Sequence, residues 1–81
     1  MIRMEVKVKL YGILRKYGEG KFDRGDNIII PEKFPLRDLI SYLDIPERLG
    51  KICLVNGYPQ DVEYKLSEGD EVKILTVLGG G

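Results

Sequence analysis

Residues Leu54–Leu75 read LVNGYPQDVEYKLSEGDEVKIL, and this stretch decides the fold. Asn56-Gly57 is the strongest short-range hairpin signal available, because both central residues of a type I′ turn need positive φ. Upstream of it, Lys51-Ile52-Cys53-Leu54-Val55 reads as a short apolar strand. Downstream, Tyr58 to Val62 is a weaker returning strand, and its Pro59 suits a sheet edge because proline has no N–H to give to a ladder. Ser67-Glu68-Gly69-Asp70 forms the next turn, and Glu71–Val77 is the last strand, alternating at its start.

Working back towards the N-terminus, Pro35 opens the one good helix, over Leu36–Leu43. Leu36, Leu39, Ile40 and Leu43 give it a core-facing stripe at i, i+3, i+4 and i+7. Asp38 in the first turn suits the helix dipole, and Pro46 closes the segment. Before it, the β-branched run Ile28-Ile29-Ile30, stopped by Pro31, is the second strand. The first strand is Met4–Tyr11, where Met4, Val6, Val8 and Leu10 face one way and Glu5, Lys7, Lys9 and Tyr11 the other. Gly12 ends it; Ile13, Leu14 and Tyr17 then fall at near-helical spacing, which predicts one short turn over the core edge. Gly18, Gly20 and Gly25 mark a long polar connection. The order strand, strand, helix, strand, short strand, strand predicts an α+β domain of two layers. In it a mixed sheet of four to five strands packs on one main helix, with the first and last strands side by side at its centre.

Eighty-one residues fit one domain, placed at residues 1–78. Thirteen Lys and Arg balance thirteen Asp and Glu, both signs are scattered, and no basic footprint for nucleic acid results. The single cysteine, Cys53, fits a reducing cytoplasm and reads as a small hydrophobe in its strand. No signal-peptide run or membrane-length apolar segment occurs, so a cytoplasmic location is expected. Histidine is absent, which removes the commonest general base and, with one Cys, the usual zinc sets; no metal site is expected. A Gly-rich phosphate loop is also missing. The chain therefore reads as a substrate or carrier rather than a catalyst, with no bound cofactor.

After Leu78 come only Gly79-Gly80-Gly81. Glycine has no side chain to pack and resists fixing in one conformation, so residues 79–81 are expected to form a flexible tail. Extended, Val77 to Gly81 would reach roughly 17 Å at about 3.3–3.6 Å per residue. Without Cβ atoms such an arm threads a narrow channel, and its carboxylate, ionised at neutral pH, can attack an activated phosphate.

Three stretches, VKVKLYGILRKYG (residues 6–18), LVNGYPQDVEYKLSEGDEVKIL and the terminal Gly-Gly, together with the PLRDLISYL helix, carry a resemblance. They are similar to the sulfur-carrier family of the molybdopterin-synthase small subunit and the thiamine sulfur carrier (MoaD and ThiS). The resemblance implies a ubiquitin-like β-grasp fold and a protein co-substrate with no activity alone. It implies that an ATP-dependent adenylyltransferase of the ubiquitin-activating type adenylates Gly81, and that sulfur from a persulfide then leaves a thiocarboxylate there. Gly80 would give side-chain-free approach, and Gly79 would precede it in the partner's channel. The acceptor implied is a molybdopterin-synthase large subunit or a thiazole synthase. Leu14-Arg15 in a longer first connection, and the overall length, resemble the molybdopterin branch; Leu75-Thr76-Val77-Leu78, without paired prolines, resembles the thiamine branch. We follow the first. Leu75, Val77 and Leu78, with Tyr11 and Val55, are expected to form an apolar partner-binding patch on the sheet face away from the helix, flanked by Lys7, Lys9 and Lys73. Two other readings stay open: a ubiquitin-like modifier joined through Gly81 to lysines, and a non-covalent β-grasp module with incidental glycines.

Overall fold

The computed structural model describes residues 3–77. Its elements are β1 (Arg3–Leu10), a 3₁₀ helix (Gly12–Gly18), β2 (Asn27–Pro31), α1 (Leu36–Tyr42), β3 (Lys51–Val55), β4 (Tyr58–Gln60) and β5 (Glu71–Thr76). The five strands form one sheet in the order β2-β1-β5-β3-β4, so β5 is central and β1 lies beside it. β1 and β5 run parallel, Lys7 opposite Glu71 through Leu10 opposite Ile74. The pairs β1–β2, β3–β5 and β3–β4 are antiparallel. This is the mixed sheet expected, and the weak strand with Pro59 is its edge.

Period-two alternation explains the core. Met4, Val6 and Val8 of β1, Ile28 and Ile30 of β2, Cys53 and Val55 of β3, and Val72 and Ile74 of β5 are all buried on one sheet face. Leu36, Leu39, Ile40 and Leu43 of the helical segment close over them. Leu14 enters the same core from the 3₁₀ helix, half-buried Tyr17 packs against it, and Ile13 stays 61% exposed. A 3₁₀ turn repeats every three residues, so it gives one inward position per turn where a longer α-helix would give a stripe. The expected short turn is there, but Ile13 is not part of the core.

No side chain caps the N-terminus of α1. Its first donors are satisfied from the chain that returns beneath it: the Leu36 N–H donates to the Tyr64 carbonyl and the Arg37 N–H to the Val62 carbonyl, both at 2.9 Å. At the other end Asp44 takes φ 60°, and the N–H groups of Asp44 and Ile45 donate back to Ser41 and Ile40 carbonyls. That is a Schellman stop with Asp in the left-handed position, and Ile40 and Ile45, the residues such a stop brings together, are both buried. Pro35, which opens the helix, sits at its N-cap with extended backbone, one residue ahead of the first helical position. Among the described residues no helix is long and apolar enough to cross a membrane.

Candidate functional site

The face of the sheet turned away from α1 is built in rows, because paired residues on neighbouring strands project to the same side. Farthest from the end of β5, Lys7 of β1 stands opposite Glu71 of β5. The next row is Lys9, Lys73, Leu54 and Pro59, running across β1, β5, β3 and β4. Beyond it comes an apolar row. Ile52 is opposite Leu75, and Tyr11, whose N–H donates to the Ile74 carbonyl at 3.2 Å, reaches the level of Leu75 from the other side. Val77, next along the chain, donates its N–H to the Gly50 carbonyl at 3.0 Å. Exposure rises along this path: Tyr11 is 40%, Ile52 46% and Val77 53% exposed. The face therefore grades from balanced charge, through paired lysines, to an apolar margin beside the last described residue.

Of the expected patch, the structure brings Tyr11, Leu75 and Val77 together at this margin. Leu78, Gly79, Gly80 and Gly81 lie outside the described residues. Val55 does not belong to the patch: it is 2% exposed and points into the core. The correction follows from register, since Val55 pairs with Val72, an inward residue, and alternation then turns Leu54 and Ile52 outward. Ile52, Leu54 and Pro59 are thus the patch residues that the sequence reading missed. The two-residue Asn-Gly turn fixes Val55 opposite Tyr58 and hence Leu54 opposite Pro59, so the sequence shows that these two share a face, but not that the face is the outer one.

A hydrogen-bond network holds β5 in this position. Asn56 adopts φ 53° and Gly57 φ 89°, as the type I′ turn requires. The Asn56 side-chain oxygen accepts from the Glu71 N–H at 2.9 Å, and the Asn56 N–H donates to the Glu71 carbonyl at 2.8 Å. Asp70, buried at the start of β5, accepts from Asn56 Nδ2 at 2.9 Å and from the Ser67 N–H at 2.8 Å. One buried carboxylate therefore ties the β3–β4 turn to the turn that launches β5. A buried polar group is tolerated where its bonds are made in this way.

Cys53 faces the core at the middle of β3, and burial pushes its thiol above its ordinary pKa. A thiol held neutral is a poor nucleophile, and this one packs as a hydrophobe. Among the described residues no cluster of three or more His, Cys, Asp or Glu side chains is placed to hold a metal ion.

Comparison with known proteins bears on both fold and family. Three solved structures show the fold. SAMP1 from Haloferax volcanii superposes with a TM-score of 0.65 at 15% identity, covering 95% of this chain and 99% of that one. A protein described as molybdopterin converting factor subunit 1 from Pyrococcus furiosus gives 0.66 at 23% identity, with 93% and 99% covered. The complex of subunits 1 and 2 of molybdopterin-converting factor from Helicobacter pylori 26695 gives 0.56 at 23% identity, with 96% and 100% covered. No curated protein matches the sequence significantly. The ThiS family model, by contrast, matches residues 8–81, a span that runs from the middle of β1 through the outer-face rows to the terminal glycines. With a sheet order and helix placement that are those of the ubiquitin-like β-grasp, the chain belongs to the ThiS family of sulfur carriers.

Proposed function

We propose that this chain is a thiocarboxylate sulfur carrier for molybdopterin (molybdenum or tungsten cofactor) biosynthesis, with Gly81 as the group that is activated and charged. The observation that carries the reading is the match of the ThiS family model across residues 8–81, tail included. The position of the apolar margin of Tyr11, Leu75, Ile52 and Val77 supports it, because a partner docked there lies next to the chain that continues into the glycines. Two converting-factor structures each contain a chain of this fold, and one of them is a complex of subunits 1 and 2, which supports a large-subunit partner of that kind for this chain.

The chemistry asks little of the carrier itself. A Gly81 carboxylate oxygen attacks the α-phosphorus of ATP on the activating enzyme, pyrophosphate leaves, and an acyl-adenylate forms. The terminal sulfur of a donor persulfide attacks the acyl carbon and AMP leaves, giving an acyl disulfide. A second thiol then cleaves the S–S bond, so that the thiol and donor are joined as a disulfide and the carrier keeps the thiocarboxylate. Gly80 and Gly79 admit this sequence by leaving no Cβ in the partner's channel. The adenylyltransferase supplies the catalytic groups, and ATP is its co-substrate rather than a ligand of this chain.

Incubation with the adenylyltransferase of the same organism, ATP and a sulfur donor tests the reading. Intact-mass analysis is expected to show one terminal oxygen replaced by sulfur. A chain lacking Gly80 and Gly81 is expected to fold normally and stay unmodified. An unchanged mass in the full chain, with an enzyme that activates its own known carrier, refutes the proposal. Transfer of the sulfur to a molybdopterin-synthase large subunit, and not to a thiazole synthase, is the outcome that fixes the pathway. The thiamine assignment is favoured by the Leu75-Thr76-Val77-Leu78 segment, and transfer only to thiazole synthase would establish it.

A further inference from the structure

Lys9 and Lys73 are Cα partners on adjacent parallel strands at the centre of the sheet. Neighbouring strands are about 4.7–4.9 Å apart, so two ammonium-bearing stems rise side by side from the outer face. Like charges directly opposite each other in a sheet are destabilising. The rest of the face does not repeat this arrangement: Lys7, one row away, is opposite Glu71. On its far side Lys73 meets Leu54, and beyond it Pro59, neither of which can neutralise it. Asp26 lines the same surface depression as Lys9, but among the described residues neither lysine has a carboxylate within 4 Å. Both stems are half-buried, which adds their methylenes to the apolar surface while the heads stay in water.

We propose that the Lys9–Lys73 pair is a recognition element for a carboxylate on a partner protein, setting an acidic-rimmed apolar surface in register on the outer face of the sheet. The like-charge pair costs the free protein some stability, and a bridging carboxylate relieves it, so the contact gains from both directions. The adjoining row of Tyr11, Leu75 and Ile52 supplies the apolar half of the contact. A second copy of this chain is a poor occupant, since the same face would bring its own lysines to lysines. A nucleic acid is equally poorly matched, because Glu5 and Glu71 are interspersed on the face and its margin is apolar. The partner's identity as the activating enzyme or the large subunit rests on the carrier reading given above.

The test is equilibrium binding of each purified partner across a salt series, read alongside adenylation of Gly81 at varied carrier concentration. Three proteins are compared: the wild type, the double variant Lys9→Gln/Lys73→Gln, and Lys73→Glu. In the double variant Kd for at least one partner is expected to rise about tenfold, the loss of roughly one charge contact, and its salt dependence to flatten. The carrier concentration that gives half-maximal adenylation should rise by a similar factor for the activating enzyme if that is the partner whose Kd rises. Lys73→Glu turns repulsion into attraction within the face, so its melting temperature should rise while its partner affinity falls. That opposite movement is not what a merely structural role would give. Equal Kd and salt slope for all three proteins overturn the inference, and if Gly81 is still adenylated the carrier reading survives it. Lysine-dependent binding without any adenylation has the converse meaning. Failure of the wild type to bind either partner overturns both.

Discussion

Asp70→Ala is the substitution whose cost can be worked most fully from the structure. The Asp70 carboxylate accepts two hydrogen bonds, from Asn56 Nδ2 at 2.9 Å and from the Ser67 N–H at 2.8 Å. Hydrogen bonds to charged groups are worth about 1.5–3 kcal/mol each, and these donors are only partly buried, so the loss should be about 2–4 kcal/mol. A domain of this length is stable by about 4–12 kcal/mol, at roughly 0.05–0.15 kcal/mol per residue. The variant thus gives up about a third of that stability. With a urea m-value of about 1 kcal/mol/M, the low end for small domains, its midpoint should fall by about 2 M or more. Urea titration followed by far-UV circular dichroism measures this directly. A double-mutant cycle isolates the contact: Asn56→Gly keeps the positive φ of the turn but removes the side chain, and it should couple to Asp70→Ala by about 1 kcal/mol. A midpoint shift below about 0.5 M, or additivity within about 0.3 kcal/mol, would show that the carboxylate does not bridge the two turns.

Other outcomes follow from the same geometry. Leu39, fully buried on α1, should lose about 2–5 kcal/mol on Leu39→Ala, read by the same titration, because a cavity would open at the helix–sheet contact. Gly57 has open space around a Cβ but φ +89°, so Gly57→Ala should cost about 1–2 kcal/mol through backbone strain, visible as a lowered melting temperature. Cys53 should resist alkylation in the native protein and react in urea. Its raised pKa makes its contribution fully present below the unfolded thiol's pKa and lost as pH rises through the folded one, so stability should fall more steeply than in Cys53→Ala once pH passes the unfolded thiol's value of about 8.5. Leu75→Glu should leave the fold intact and weaken partner binding about tenfold or more, measured by titration calorimetry, since it places a charge in the apolar row.

Most element positions were legible in the residues because short-range rules act there. The alternation from Met4 to Leu10, the i, i+3, i+4, i+7 stripe from Leu36 to Leu43, and the Asn56-Gly57 turn each depend on a few neighbouring residues. Pro59 announced its edge strand because a missing N–H has the same consequence in any sheet. The end of α1 was harder to read: Asp44 serves where Gly or Asn is the usual left-handed residue, and Ile45 is held in the core by that stop. The outer face was legible only in part: Tyr11, Leu75 and Val77 were placed on it, Val55 was placed on the wrong face, and Ile52, Leu54 and Pro59 were overlooked.

The chain's sequence alone determined where strands, turns and the helix lie, and the family to which its motifs and glycines point. Which face of β3 is inward was a tertiary decision. Lys51–Val55 is apolar on both sides, so its own pattern has a period but no phase until Val55 meets Val72. The adjacency of Lys9 and Lys73 was decided in the same way, by the parallel register of two strands separated by most of the chain. Local forces specify which conformation a segment adopts; which segments share a surface depends on pairing across the sheet, and that exists only once the whole core has closed.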